Sequence, residues 1–218
     1  MEILAISDIH NKLGNISAIA DDIAKADVVL IAGDITNFGS VKQAKAIVTK
    51  ISKYNSNILA VGGNCDSSSV EAYLSDHGMS LHCNCVELDG IKFLGVGGAM
   101  AGPGVGLDEF GDDDFSINLT ALEGMLEPTD TSILVTHQPA FGTKIDDTGS
   151  GHHAGNLAVR DFIVRNHPIL AVSGHVHNAF GTDVINSTTL INPGPISRRT
   201  YGYIKIGKTV SAEIRTIK

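Results

Sequence analysis

Apolar runs alternate with amphipathic stretches along the first third of the chain. Apolar residues without polar alternation predict buried strands at Glu2–Ser7, Val28–Ala32 and Asn57–Val61. Between them, apolar residues at helical spacing predict helices over Ile16–Ala24 and Val41–Tyr54. This β-α-β-α-β order implies parallel strands joined by right-handed crossovers. Both faces of such a sheet are covered, which explains why its strands are apolar throughout.

The pattern changes after the first third of the chain. Val86–Leu88 and Ile91–Val96 are predicted to form a hairpin, because the Asp89-Gly90 pair between them suits a type I′ turn. Gly95–Gly111 is rich in glycine with an acidic end, and it is predicted to be a mobile loop near a functional surface.

Further apolar runs predict strands at Ser132–Thr136 and Ile169–Ser173, with a helix near Asn156–Asn166 between them. Strands dominate the predicted structure from Phe180 to Ile217. Parallel and antiparallel pairing together indicate two sheets packed face to face with helices outside. Since the sequence contains no repeat or linker, we expect one domain over residues 1–218.

Composition narrows the functional class. The 218 residues are 43% hydrophobic and carry a net charge of −8, which argues against disorder and against binding of extended nucleic acid. No apolar run approaches the roughly 20 residues of a membrane span, and the first residues lack the basic segment of a signal peptide. Three cysteines form no disulfide framework, so a cytoplasmic location is expected, with a homo-oligomer left open.

Residues of metal-ligand type follow five of the predicted strands. In open α/β sheets, ligands bind beyond the carboxyl ends of the strands, where loops from several strands converge. Residues two apart in an extended chain point the same way, which applies to Asp8 and His10 and to His175 and His177. The candidate ligands are Asp8, His10, Asp34, Asn64, His137, His175 and His177.

Each candidate ligand also has an ordinary structural role open to it. An aspartate after a strand, such as Asp34, is usually a turn former or a helix cap. A single histidine at a strand end is more often hydrogen-bonded or exposed than bound to a metal. Independent turn chemistry does not explain why carboxylates, an amide and imidazoles all follow strands that end at one edge.

Seven ligands are too many for one tetrahedral zinc ion and suit two metal ions that share a carboxylate. Oxygen and nitrogen donors without a thiolate favour Mn, Fe or Zn over a soft metal. Two divalent cations acidify a bridging water and hold the oxygens of an in-line displacement. They also neutralise an anionic substrate, which a net charge of −8 would repel. The pattern therefore predicts hydrolysis of a phosphate ester.

The order Asp-x-His, Gly-Asp, Gly-Asn, a lone His and Gly-His-x-His, which runs from Asp8 to His177, resembles the calcineurin-like metallophosphoesterase superfamily. Asn192-Pro193-Gly194 is similar to the small prokaryotic, phosphodiesterase-like members. The resemblance implies the fold class α/β (α+β), as a four-layer α-β-β-α sandwich of two mixed β-sheets flanked by helices.

The resemblance also implies the role of each ligand. It places Asp8, His10 and His177 at a first metal ion. It places Asn64, His137 and His175 at a second, with Asp34 as the bridge between them. It further implies catalytic roles for Asp34, Asn64 and His175, Asn64 close to the phosphate, and a metal-bridging hydroxide as the nucleophile. Mn²⁺ is the expected metal, with Fe, Zn and Ni as alternatives.

One motif departs from the family pattern. Many members have a histidine after the Gly-Asn pair that helps to protonate the leaving group, whereas this chain has Cys65, a weaker proton donor. Small phosphodiesterase-like members resemble this chain in that respect, so a phosphodiesterase is expected. A catalytic role and an inert, buried role for Cys65 both stay open. Asn11, His152 and His153 are further candidates for substrate contact, against plain turn or solvated-loop roles.

The expected function is therefore a dinuclear metal-dependent phosphodiesterase acting on a small phosphate ester or a nucleotide-like substrate. A phosphomonoesterase is one alternative. Another is a non-catalytic, metal-binding interaction scaffold that keeps the fold. A nuclease acting on short oligonucleotides or cyclic dinucleotides is a third.

Overall fold

Strands and helices alternate along residues 1–101, 106–149 and 151–217, which the computed structural model describes. The strands are β1 (Glu2–Ile6), β2 (Val28–Ala32), β3 (Ile58–Val61), β4 (Asn84–Leu88), β5 (Ile91–Val96), β6 (Ala99–Met100), β7 (Glu109–Phe110), β8 (Thr131–Thr136), β9 (Leu170–Val172), β10 (Gly181–Ile185), β11 (Thr188–Asn192), β12 (Thr200–Ile206) and β13 (Val210–Thr216). The helices are α1 (Leu13–Ala18), α2 (Ala20–Lys25), α3 (Val41–Ser52), α4 (Ser68–Asp76), α5 (Asp112–Glu123) and α6 (Leu157–Asn166).

Two large mixed sheets form the centre of the structure. The first has the strand order β13-β12-β1-β2-β3, and the second has the order β10-β11-β9-β8-β5-β4. Strands β1, β2 and β3 pair in parallel, as do β5, β8, β9 and β11. Antiparallel partners flank each parallel core. The prediction of two sheets with both kinds of pairing is confirmed.

Three buried apolar clusters separate four layers. One cluster lies between the first sheet and α1 to α4, the next lies between the two sheets, and the third lies between the second sheet and α5 and α6. Along β1, Leu4 and Ile6 belong to the first cluster, whereas Ile3 and Ala5 belong to the second. Alternate residues of a strand face opposite sides, so a strand buried on both sides is apolar throughout. The expected α-β-β-α sandwich is confirmed.

Several predicted boundaries differ from the structure. The helix predicted over Ile16–Ala24 is two helices, because the backbone leaves the helical region at Ile19 (φ −110°, ψ 18°). Helices α4 and α5 were not predicted, since α4 buries only Val70 and Leu74 among its described residues and gives a weak apolar pattern. The Asp89-Gly90 turn is confirmed, with φ values of 51° and 74°.

The glycine-rich stretch predicted as a loop over Gly95–Gly111 contains regular structure. Its described residues include the end of β5 and the short parallel pair β6 and β7. The acidic residues that follow lie at the start of α5. Among the described residues, none of the helices is long and apolar enough to cross a membrane.

Candidate metal centre

All seven candidate ligands lie just beyond the carboxyl ends of parallel strands. The loops that follow β1, β2, β3, β8 and β9 carry them, and these strands belong to both sheets. The edges of the two sheets therefore meet at one site. The structure brings together Asp8, His10, Asp34, Asn64, His137, His175 and His177.

A first group of side chains contains Asp8, His10, Asp34 and His177, each with one potential ligand atom within 4.8 Å of the others. Asp8 Oδ1 lies 3.0 Å from His177 Nε2, and His10 Nε2 lies 3.3 Å from the same nitrogen. Asp34 Oδ2 lies 3.6 Å from His10 Nε2. Oxygen and nitrogen donors at this spacing form a potential metal-binding cluster.

A second group shares Asp34 with the first. Its other oxygen, Oδ1, lies 3.5 Å from His137 Nε2. His137 Nε2 lies 3.1 Å from Asn64 Oδ1, and His175 Nδ1 lies 3.2 Å from that same oxygen. The two carboxylate oxygens of Asp34 thus face different groups of potential ligands.

The ligand loops leave the extended conformation. Asp8, His10, Asp34 and His175 all have positive φ, at 51°, 45°, 50° and 66°. The extended backbone expected at Asp8 and His10, and at His175, is therefore wrong, although the side chains of Asp8 and His10 do come together as expected. Left-handed turns direct these side chains instead. Non-glycine residues in this region carry a conformational cost, and such strain clusters at functional sites.

Backbone carbonyls fix the orientation of two imidazoles. His137 Nδ1 lies 2.8 Å from the carbonyl oxygen of Ala32, and His10 Nδ1 lies 3.3 Å from that of Thr36. When each Nδ1 donates its proton, Nε2 keeps its lone pair and faces the carboxylates. This arrangement is the one that metal-binding histidines adopt.

Two buried carboxylates dominate the electrostatics. Asp8 is 0% exposed and Asp34 is 3% exposed, and their ion pairs within the described part of the chain are all with histidines. Burial would raise the pKa of Asp8, but the hydrogen bond from His177 and nearby positive charge outweigh it and lower the pKa. When the imidazoles are neutral ligands, a divalent cation supplies the positive charge that these buried carboxylates require.

The histidines respond differently to the same surroundings. Burial would lower the pKa of His137, but the Asp34 and Asp8 carboxylates outweigh it and raise the pKa. The hydrogen bond to Asp8 raises the pKa of His177. Burial, with a contribution from His137, lowers the pKa of His175 to about 4. In the metal-free protein His175 is therefore neutral near pH 7, and its nitrogen is available as a ligand.

Glycines allow the ligand loops to approach one another. A Cβ at Gly33 would lie 2.3 Å from His137 Nδ1, and φ there is +87°. A Cβ at Gly174 would lie 1.8 Å from Ser7 Oγ and 2.8 Å from Asp8 Oδ2. Side chains at these two positions would displace the histidine and the carboxylate.

Three supporting residues were missed by the sequence reasoning. Ser7 lies against Asp8 Oδ2. Asp66 accepts hydrogen bonds from the backbone N–H groups of Ile35, Thr36 and Gly63, which joins the Asp34 loop to the Asn64 loop. The Asn192 amide donates to the carbonyl of Val176 at 3.0 Å and so supports the loop of His175 and His177. The signal that the sequence offers is that Asp66 belongs to the stretch Gly63-Asn64-Cys65-Asp66 and that Asn192 belongs to Asn192-Pro193-Gly194.

The predicted substrate-contacting residues have different surroundings. Asn11 Oδ1 is buried and has no hydrogen-bond partner in the described structure. Cys65 is 7% exposed, and burial, together with the Asp34 carboxylate, raises the pKa of its thiol. His153 Nδ1 lies 2.8 Å from Asp146 Oδ1, and its ring packs edge-on against Phe141.

The two histidines of the 149–155 loop are not part of the ligand groups. Asp146 is fully buried and also accepts hydrogen bonds from the N–H groups of Gly142 and Gly155, so His153 helps to close its own loop. His152 is exposed. Within the described ranges, neither ring contacts any of the seven candidate ligands.

Comparison with known sequences gives one family match and two similar proteins. The sequence profile of the calcineurin-like phosphoesterases matches residues 1–179, which include all seven candidate ligands. An uncharacterized protein of Methanocaldococcus jannaschii is 28% identical over 205 residues, which cover 92% of this chain and 91% of that protein. A UPF0046 protein of Caenorhabditis elegans is 25% identical over 209 residues, with 88% and 69% coverage.

Comparison with solved structures shows the same fold. The Thermus thermophilus protein TT1561 superposes with a TM-score of 0.79 at 17% identity, covering 100% of this chain and 99% of that one. A structure described as a novel archaeal phosphodiesterase has a TM-score of 0.56 at 18% identity, covering 99% of this chain and 100% of that one. At these identities the likeness establishes a shared architecture.

Proposed function

The chain belongs to the calcineurin-like phosphoesterase family of metal-dependent phosphoester hydrolases, and on that premise we propose that it is a phosphodiesterase with two metal ions. Its substrate is a small phosphate ester or a nucleotide-like diester. The observation that carries the proposal is the position of Asp34, whose two carboxylate oxygens face separate groups of nitrogen and oxygen donors. A shared carboxylate is what a dinuclear site requires.

The proposed ligand sets follow the two groups. Asp8, His10 and His177 hold the first metal ion, and Asp34 bridges to the second. Asn64, His137 and His175 complete the second set. The donor chemistry fits divalent cations, because the buried carboxylates are paired with imidazoles and two of those imidazoles are oriented by backbone carbonyls. When bound, the two cations activate water and neutralise the phosphoryl oxygens.

The residues around the cations bind and orient the substrate. Since Asn64 Oδ1 faces the histidines, its Nδ2 is the group left to donate to a phosphoryl oxygen. Asn11 has a buried carbonyl oxygen without a partner in the described structure, which supports a role in contacting substrate or an ordered water. His152 and His153 are proposed to reach the more distant part of the substrate, since they belong to a neighbouring loop.

The residue after Asn64 supports a diester over a monoester. Many family members have a histidine there that helps to protonate the leaving group, whereas this chain has Cys65, as do the small phosphodiesterase-like members that it resembles. A raised thiol pKa keeps Cys65 protonated, so it takes no part as a thiolate nucleophile.

We further propose Mn²⁺ as the native metal and the cytoplasm as the location. Oxygen and imidazole donors suit Mn²⁺, Fe, Zn and Ni, and the absence of thiolate from the proposed set favours the harder ions. Cys65, Cys83 and Cys85 are free thiols in the structure, which fits a reducing compartment.

Hydrolysis of bis(p-nitrophenyl) phosphate by the Mn²⁺-loaded protein tests the proposal. Asp34→Ala and His175→Ala should abolish turnover. Asp76→Ala and His77→Ala are matched controls, because both residues are exposed and lie at the end of α4, and these variants should keep full turnover. A higher kcat/KM for p-nitrophenyl phosphate would make the chain a phosphomonoesterase. Metal binding without turnover of any ester, with Mn²⁺, Fe²⁺, Zn²⁺ or Ni²⁺, would favour the scaffold alternative.

A further inference from the structure

Two exposed apolar side chains lie on segments bonded to the Asn64 loop. Phe38 is 52% exposed, and its N–H donates to the carbonyl oxygen of Cys65 at 3.1 Å. Leu107 is 51% exposed, and its N–H donates to the carbonyl oxygen of Asn64 at 2.7 Å. We call Phe38 and Leu107 the apolar rim. Their backbone N–H groups thus bond to two consecutive residues, Cys65 and Asn64, of the loop that carries the candidate ligand Asn64.

The rim is close to the bridging carboxylate. The N–H of Cys65 donates to Asp34 Oδ1 at 2.8 Å, so one residue links the backbone of Phe38 to the carboxylate that the two ligand groups share. A phosphoryl group bound at this centre would extend its ester groups over the neighbouring loops. The segments of Phe38 and Leu107 are bonded to the loop that carries Asn64 and so lie next to this centre.

Phe38 adopts a conformation that its burial does not explain. Its φ is 52°, in the left-handed region, which is an outlier for a bulky residue. Strain of this kind persists where the surrounding structure imposes it, and it clusters at ligand sites. A ring that remains half exposed buries little apolar area to offset the cost. Contact with a ligand would bury the rest of the ring.

Two other strand-end loops expose aromatic residues. Phe141 follows His137 and is 38% exposed, and Phe180 follows His177 and is 40% exposed. Exposed apolar side chains grouped at one edge of a fold mark a binding surface more often than scattered ones do. The loops around the candidate metal centre thus carry charged side chains at the centre itself and exposed apolar side chains next to it.

We propose that the apolar rim determines substrate specificity by holding the non-reacting ester group of the phosphodiester, and that this group is aromatic. The proposal rests on the proposed function. An aryl or nucleobase group stacks on Phe38 and contacts Leu107, which removes apolar surface from water on both sides. A small polar ester group gains nothing from these contacts. The site therefore selects among diesters by the group that does not leave.

Binding of diester analogues tests the rim without turnover. Diphenylphosphinate and dimethylphosphinate carry phosphorus–carbon bonds and resist hydrolysis, and calorimetry gives the Kd of each for the Mn²⁺-loaded protein. The wild-type protein should bind diphenylphosphinate about tenfold or more tightly than dimethylphosphinate. Phe38→Ala and Leu107→Ala should each reduce that preference roughly three- to tenfold. Ile117→Ala is the matched control, because Ile117 is 66% exposed on α5, and it should keep the preference.

Turnover separates failure of the rim from failure of the proposed function. Bis(p-nitrophenyl) phosphate and methyl p-nitrophenyl phosphate share a leaving group and differ in the group retained. If the apolar rim holds the retained group, the wild-type protein should have a lower KM for bis(p-nitrophenyl) phosphate than for methyl p-nitrophenyl phosphate. Phe38→Ala should lose this difference. Equal KM values in the wild-type protein, or equal analogue affinities, would overturn the rim while leaving the phosphodiesterase intact. Selective binding of diphenylphosphinate without turnover would support the rim and overturn the proposed function.

Discussion

The Ser7 hydroxyl oxygen lies 2.5 Å from Asp8 Oδ2, while the other oxygen of that carboxylate, Oδ1, lies 3.0 Å from His177 Nε2. The N–H of His175 also approaches Oδ2, at 3.2 Å. Protein donors therefore occupy one oxygen of Asp8, and the other is left to face the first ligand group. Because Ser7 and Asp8 are both 0% exposed, bulk solvent does not reach this contact.

Ser7→Ala is expected to weaken Mn²⁺ binding about tenfold, since loss of an outer-shell partner lets the ligand carboxylate rotate away from its binding orientation. Calorimetric titration of the metal-free protein measures the affinity. Ser173→Ala is the matched control, because Ser173 is also a buried serine at a strand end and its hydroxyl has no partner in the described structure. Equal Mn²⁺ affinities for the two variants would show that Ser7 does not position Asp8.

The order of ligand-type residues after the strands was enough to indicate the fold and the place of the site. Parallel strands end at a common edge, so Asp8 and Asp34 could be placed together before any coordinates. Apolar strands without alternation indicated sheets buried on both sides, and Leu4 and Ile3 do face different clusters.

What the sequence did not reveal depends on conformation and on long-range contacts. The left-handed turns at Asp8 and His10 carry no residue signal, because neither position is a glycine. The contacts of Asp66 with Thr36 and of Asn192 with Val176 join residues at least 16 positions apart. Only the folded chain brings such donors and acceptors together, so their supporting roles emerged from the structure.

Metal stoichiometry should separate the two ligand groups. The wild-type protein is expected to bind two Mn²⁺ ions. Asn64→Ala removes a donor from the second group alone, so one tightly bound ion should remain, and His10→Ala should likewise retain one ion at the second group. Asp34→Ala removes the shared carboxylate and should weaken both. Equilibrium dialysis with elemental analysis gives the counts, and a single ion in the wild-type protein would contradict the dinuclear assignment.

Asp66→Asn should reduce the free energy of unfolding by about 2–3 kcal/mol. Both oxygens of Asp66 accept two hydrogen bonds, Oδ2 from Ile35 and Gly63 and Oδ1 from the N–H and hydroxyl of Thr36. An asparagine amide offers one acceptor oxygen, so its NH₂ group would face two donors. Urea unfolding followed by circular dichroism measures the loss. Asp76→Asn, at the exposed end of α4, should change stability little.

Cys65 should react slowly with iodoacetamide at about pH 8, because burial and the Asp34 carboxylate raise the pKa of its thiol and the thiolate is the reactive species. Mass spectrometry of the labelled, metal-free protein should show modification at Cys83 and Cys85 before Cys65, since both are partly exposed. Cys65→Ala should keep the turnover of bis(p-nitrophenyl) phosphate within about threefold, because p-nitrophenolate leaves without a proton donor. A loss of a hundredfold or more in a folded variant would assign Cys65 a catalytic role.

We expect Asp22 to account for part of the stability that the protein loses at acid pH. The Tyr201 hydroxyl donates to Asp22 Oδ2 at 2.6 Å, and Arg215 Nη1 donates to the same oxygen at 3.0 Å. Burial would raise the pKa of Asp22, but these two hydrogen bonds outweigh it and hold the pKa below its ordinary value of 3.8. The folded chain therefore binds fewer protons at this position than the unfolded chain does.

The ionised Asp22 therefore stabilises the fold at pH values above the pKa that it has in the unfolded chain. This stabilisation is lost as the pH falls through the lower pKa that Asp22 has in the folded chain. Asp22→Asn cannot ionise, so its Tm should lie below that of the wild-type protein at pH 7. The difference in Tm should shrink as the pH falls below about 4. Asp21→Asn is the control, because Asp21 is the exposed neighbour on the same helix. A Tm difference for Asp22→Asn that stays constant from neutral to acid pH would show that the charge of Asp22 contributes nothing to folding.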